Sequence, residues 1–391
     1  MAQRTNRPGK HWLLIAFLLT LCPTGGCKQN SWPLWNAYSA RFIDVQGRVI
    51  DHSAADRTTS EGQAYAMFFA LAGNDRPSFD RLLNWTQANL AGGDLQTHLP
   101  AWLWGKASDG QWKTLDAHCA SDADVWMAYT LIEAGRLWNL SDYATTGRAM
   151  MAQIAKTDVA NLPGFGPTLL PGPTGFQHNQ TTTLNPSYMP LFLFQRFAKV
   201  DPAGPWLQIA EGIPRMLEGS ARHGFAMDWV DYIPGDGFYP STAMQTGNKE
   251  SDVSGGSYDA VRVYLWAGMI DRSSPLRAQV LSAIPAMSAY LASHDAPPEK
   301  VTAQGIPLAQ DGPVGFSAAL LPYLRAFPDL SDSRSSAQQT VRVARMRDAS
   351  TGLYGKDLAY YDQNLALFST GFIDGRFRFG PGGELNVEWN R

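Results

Sequence analysis

The stretch Ala120–Trp138, ASDADVWMAYTLIEAGRLW, decides how this chain is read. Asp122 and Asp124 follow Ser121 closely, and apolar residues then recur at helical spacing, so a helix over 121–139 is predicted with its acids in the first turn. Outward from it, similar spacing predicts helices over 34–46, 59–73, 77–91, 141–157, 186–199, 203–219, 257–270, 274–293, 314–326, 333–348 and 358–372. Pro77 and Pro186 suit first helical positions, and Thr58-Thr59-Ser60-Glu61 matches a capping box. Twelve helices in consecutive pairs, without a short repeat period, point to an all-α (α/α)6 toroid of six helical hairpins rather than a solenoid. The segments 92–120, 160–184 and 220–256, rich in Gly, Pro and Asp, read as long loops with a few short strands that build a cleft over one end. Arg376–Phe379 and Glu384–Trp389, around Gly380-Pro-Gly-Gly383, read as a hairpin.

The 391 residues carry a formal charge of −3, which leaves no basic surplus to neutralise a nucleic acid. The 13 Trp, 14 Tyr and 18 Phe fit either a large aromatic core or a cleft lined for flat sugar faces. Arg4, Arg7 and Lys10 precede a ten-residue apolar run, Trp12–Leu21, and small residues through Gly26. A bilayer span needs about 20 residues, so residues 1–26 are expected to be a cleaved signal peptide, and the mature chain is expected to have no membrane span and to be periplasmic or secreted. Residues 27–391 are then expected to form a single domain. Cys27 follows two glycines as a lipidated cysteine would, but Thr24 stands where such sites usually carry Leu. The three cysteines leave room for a Cys27–Cys119 bridge, with no Cys/His cluster for zinc.

Three acids begin predicted helices beside aromatic loops: Glu61, Asp122 and Asp259. Each has an ordinary explanation. Glu61 fits a capping box, Asp122 and Asp124 complement a helix dipole, and Asp259 can pair with Arg262 one turn on. Gly62, poor in a first turn unless something approaches the backbone closely, weighs against mere capping for Glu61.

The surrounding motifs carry more. The run Ala120–Trp138, departing only at Thr130 where Ser or Ala is more usual, resembles the signature of glycoside hydrolase family 8. Ser60-Glu-Gly-Gln63, Leu99-Pro-Ala-Trp-Leu-Trp-Gly105, Asn185-Pro-Ser-Tyr188, Ser257-Tyr-Asp-Ala260 and Gly312-Pro-Val-Gly-Phe-Ser317 are similar to the endoglucanases associated with bacterial cellulose synthesis. The resemblance, covering nearly the whole chain from Trp32, implies an inverting endo-β-1,4-glucanase that needs no cofactor or metal. Its substrate would be cellulose or cello-oligosaccharide, with the cellulose synthase and export complex as a candidate partner. It also implies Glu61 as proton donor, Asp259 as the base that activates water, and Asp122 as the carboxylate that holds the distorted sugar. Around them, Arg262 is expected to keep Asp259 ionised, Tyr188 to bond water or a sugar hydroxyl, and Trp102 and Trp104, two apart on an extended segment, to stack on glucose rings. Rival readings are a xylanase or chitosanase of the same family, or a non-catalytic glucan-binding component of the secretion apparatus.

Overall fold

Helices that are apolar on every side have no face to show water and must sit inside a larger assembly. The computed structural model describes residues 1–2, 32–241, 255–308, 310–327 and 330–390. In it α2 (Ser60–Ala72), α4 (Ser121–Leu137), α8 (Ala260–Met269), α11 (Val314–Leu324) and α13 (Tyr360–Ile373) are buried almost throughout. With α6 (Leu191–Val200) they make an inner ring, and Trp126 of α4 touches the rings of Phe68, Phe192, Trp266 and Phe368 from four other members. Truncating so large and well-packed a side chain to Ala costs about 3–5 kcal/mol.

Each inner helix has an outer partner: α3 (Arg76–Leu90) against α2, α5 (Ser141–Thr157) against α4, and α7 (Trp206–Ser220) against α6. Likewise α9 (Arg277–Ala283) packs on α8, α12 (Leu330–Arg345) on α11, and α1 (Pro33–Phe42) on α13, so the chain's first helix completes its last hairpin. The outer helices are one-sided. In α3 the buried residues Phe79, Leu82, Leu83, Thr86 and Leu90 recur every three or four positions. The architecture is an (α/α)6 barrel, and Ser31–Arg391 form one compact unit. Of Met1–Asn30, only Met1 and Ala2 are described; the apolar run Trp12–Leu21 and Cys27 lie outside the described residues.

The predicted elements depart from the observed ones where local chemistry competes with periodicity. The helix expected over 34–46 stops at Phe42, because Asp44 Oδ1 accepts from the N–H groups of Gln46 and Arg48 and closes a turn. The helix expected over 274–293 is two: Pro285 lacks an N–H and pushes Ile284 out of helical geometry, giving α9 and then α10 (Ala286–Leu291). Pro190 delays α6 to Leu191 and leaves Pro186–Tyr188 as a single 3₁₀ turn.

The loops carry short antiparallel strands, including a three-stranded sheet (Thr58–Thr59, Leu103–Lys106, Trp112–Asp116) and a four-stranded one (Gln177–His178, Thr181–Leu184, Val230–Ile233, Gly237–Pro240). Strands Phe377–Phe379 and Leu385–Val387 form the expected C-terminal hairpin. It is held against α4 by Tyr129, which donates to the Gly383 carbonyl at 2.8 Å, and by fully buried Glu133, which accepts from Leu385 N–H and pairs with Arg136 and Arg196.

Candidate active site

The first turns of the inner helices gather at one end of the barrel. At α2 the N-cap is Thr59, whose hydroxyl accepts from Gly62 N–H at 3.2 Å. This corrects the capping-box reading of Glu61: the capped amide belongs to Gly62, one residue on, so the Glu61 carboxyl does not reach back to the cap. Gly62 is required by close approach, since a Cβ there would stand 2.1 Å from the Tyr360 hydroxyl oxygen. The Ser60 N–H donates to the Trp102 carbonyl, tying the aromatic loop to this helix start.

Arg262, one turn into α8 and 3% exposed, is the hub. Its Nη1 donates to Glu61 Oε1, to the Tyr65 hydroxyl at 3.1 Å and to Asp122 Oδ2 at 3.4 Å. Its Nη2 donates to Asp259 Oδ1 at 2.5 Å and to Ser187 Oγ at 3.0 Å. Burial alone would lower the pKa of this guanidinium, but Tyr65, Glu61, Tyr361 and Asp259 around it push it up, so it is a fixed cation. The sequence suggested a pair with Asp259; the structure shows one buried cation joining all three acids.

The acids are not equivalent. Asp122 is almost wholly buried, whereas the side chains of Glu61 and Asp259 keep 23% and 27% exposure and so remain open to solvent. Burial first, and then the charge of Glu61, raise the pKa of Asp122 to about 7, against the pull of Arg262 and the Ala123 N–H. Asp259 is fixed from two sides: Asn185 Nδ2 donates to its Oδ2 at 3.0 Å, and Asp228 Oδ1 accepts the backbone N–H groups of Ser257, Asp259 and Ala260. Asp228 thereby caps the start of α8 from a loop thirty residues away, and burial with the nearby Asp259 charge raises its pKa to about 7.

The flanking aromatics differ from the simple extended picture. Register shifts between Leu103 and Trp104, so spacing of two does not by itself put the rings of Trp102 and Trp104 on one face. Trp104 packs against Trp85 and stacks on Trp112 at 5.2 Å, with the Arg48 guanidinium 4.4 Å from its ring centre. Trp102 donates to the Asp116 carboxylate, lowering its pKa. Tyr188 lies half-buried with its ring centre 5.7 Å from the Arg262 guanidinium carbon and edge-on to Trp229. The loop 242–254 that leads toward Asp259 lies outside the described residues.

Two partly exposed carboxyls and a buried third share one buried cation at the end of a barrel of paired helices, and the comparisons with known proteins say which family has this arrangement. The model of glycosyl hydrolases family 8 matches residues 14–373. The chain belongs to glycosyl hydrolase family 8. It is 45% identical to an endoglucanase of Xanthomonas axonopodis pv. citri (strain 306), over 98% of this chain and 97% of that one. It is 42% identical to an endoglucanase of Escherichia coli (strain K12), over 92% of each. The crystal structure of an endo-1,4-D-glucanase from Vibrio fischeri ES114 matches with a TM-score of 0.80 at 34% identity, covering 92% of this chain and 100% of that one.

In this family 8 glycoside hydrolase, sequence reasoning missed Tyr65, Asn185, Ser187 and Asp228 as individual members of the site. Tyr65 had a signal, since it lies four residues after Glu61 and so on the same helix face. Asn185 and Ser187 sit in a motif already singled out through Tyr188. Asp228 had no local signal: it lies in a loop, and its partners are backbone amides.

Proposed function

We propose that this chain is an endo-β-1,4-glucanase that hydrolyses cellulose or cello-oligosaccharides with inversion. The observation that carries the reading is the convergence of Glu61, Asp122 and Asp259 on the single buried Arg262. Inversion asks for one protonated carboxyl on the leaving oxygen and one carboxylate that deprotonates an attacking water, about 6.5–9.5 Å apart. In this reading Glu61 protonates the leaving glycosidic oxygen. Asp259, held by Asn185 and Arg262, takes the proton of the water that attacks the anomeric carbon. Asp122, deeper in the site, hydrogen-bonds the distorted sugar between them. Tyr188 bonds the water or a sugar hydroxyl, and Trp102, tied to the start of α2, is the stacking platform, with Trp104 supporting it through its own stack on Trp112. The relatives' names, all of the endoglucanase type, support a glucan substrate. The positive start and short apolar run of residues 1–26 support export to the periplasm or beyond, with residues 27–391 as the catalytic domain. The likeness of the motifs to the cellulose-synthesis subgroup supports a role beside the cellulose synthase and export complex.

The test is a proton NMR time course of cellopentaose cleavage alongside a substrate panel. The α-anomer should appear first, and glucan should be cut in preference to xylan or chitosan. Initial β-anomer would overturn inversion, and cleavage of xylan or chitosan alone would overturn the substrate.

A further inference from the structure

Two residues past Asp122, on the opposite side of the same helical turn, Asp124 presents a different problem. It is fully buried, and among the described residues neither carboxylate oxygen finds a hydrogen bond of good geometry, its polar neighbour being the Cys119 thiol. A carboxylate taken out of water without a partner is costly, so such a group either keeps a proton or holds a cation. One carboxylate oxygen of Asp124, one of Asp158 and the Cys119 Sγ lie within 4.8 Å of one another. We propose that Cys119, Asp124 and Asp158 bind a single thiophilic divalent cation of the zinc(II) type, apart from the catalytic pocket.

The geometry suits such an ion. The Cys119 Sγ stands 3.7 Å from Asp158 Oδ1 and 4.0 Å from its Oδ2. With a Zn–S bond of about 2.3 Å and a Zn–O bond of about 2.0–2.2 Å, a tetrahedral centre places sulfur and oxygen ligands roughly 3.5 Å apart. Three protein ligands leave the fourth position to water. The chemistry of the donors selects the metal: a thiolate is a poor ligand for calcium or magnesium and a good one for zinc or cobalt.

The surroundings also ask for positive charge. Among the described residues the leading influences on the protonation of these three groups are burial, one another, Asp122 and Thr157, none of them a cation. The catalytic trio differs, since its acids already share Arg262. Binding is proton-balanced: the cation takes the sulfur as thiolate and both carboxyls as carboxylates, and the thiol proton and any carboxyl proton leave to solvent. The ligands come from the loop before α4, the first turn of α4 and the C-cap of α5. The ion would therefore clamp the helix start that carries Asp122.

The experiment is titration of the reduced, chelator-stripped full chain with cobalt(II) and then zinc(II). One equivalent of cobalt should give a near-ultraviolet thiolate-to-metal charge-transfer band, zinc should displace it, protons should be released, and Tm should rise to saturation at one equivalent. Cys119→Ser should lose the band, and Asp124→Asn and Asp158→Asn should lose stoichiometric uptake. X-ray absorption on the wild-type zinc complex needs no variant to fold, and should show one sulfur at about 2.3 Å with oxygen ligands at about 2.0 Å. Absence of one-equivalent uptake, a band that survives in Cys119→Ser, uptake unchanged in both Asn variants, or a zinc shell without sulfur would each overturn the proposal.

Discussion

Asp122 and Asp124 sit on the same helical turn and meet opposite electrostatic surroundings. Asp122 faces a buried guanidinium shared with Glu61 and Asp259. Asp124 faces a second acid and a thiol, and among the described residues neither of its oxygens finds a hydrogen bond of good geometry. One helix start thus supports a charge-compensated site on one face and an uncompensated one on the other. The difference teaches that residue type and position in a first turn do not set an acid's role; what arrives from distant parts of the chain does.

Removing the shared cation tests this contrast most severely. Arg262→Met should destabilise the protein by about 3–5 kcal/mol at pH 7.5, because three acids are left facing one another without compensation. The loss should shrink in denaturant melts at pH 5, where carboxyls can take protons. Loosening Asp259 is milder. Asn185→Ala removes the donor to Asp259 Oδ2, a bond to a charged group worth about 1.5–3 kcal/mol, together with the acceptor for Ser187, so kcat should fall roughly 10- to 100-fold and Tm should drop with it.

On the uncompensated face the expected sign reverses. Burial raises the Asp158 pKa to about 7 from an ordinary value of 3.8. The folded state therefore holds a proton that the unfolded chain has lost, and this contribution to stability, full below about pH 4, disappears as pH rises through about 7. Metal-free Asp158→Asn should thus gain on wild type by ~2 kcal/mol in melts compared between pH 5 and pH 8, a figure set below the full shift because the acids are coupled. The smallest effect is expected from Tyr65→Phe, which removes one neutral donor and acceptor beside Arg262: about 1 kcal/mol in stability and less than tenfold in kcat.

Much of this was legible in the sequence. The inner helices announce themselves by apolar spacing, and the positions of Glu61, Asp122 and Asp259 stand out as first-turn acids in recognisable motifs. What periodicity could not show was local competition, such as the Asp44 turn that ends α1 and Pro285 that divides α9 from α10. In the site, the offset of the α2 cap by one residue decides whether Glu61 caps its helix or faces Arg262, and a spacing rule is too coarse to see it. Arg262 as a hub depends on long-range closure of the barrel, and the meeting of Cys119 with Asp158 on how α5 packs back along α4, and neither has a trace in local spacing.

The central claim is that Glu61 and Asp259 are the acid and base of one site. Reducing-sugar release from carboxymethylcellulose by wild type, Glu61→Gln and Asp259→Asn, each shown to be folded, tests it most directly. Both variants should lose about 10²- to 10⁴-fold in kcat, the usual contribution of a positioned acid or base. Wild-type activity in either one would contradict the account.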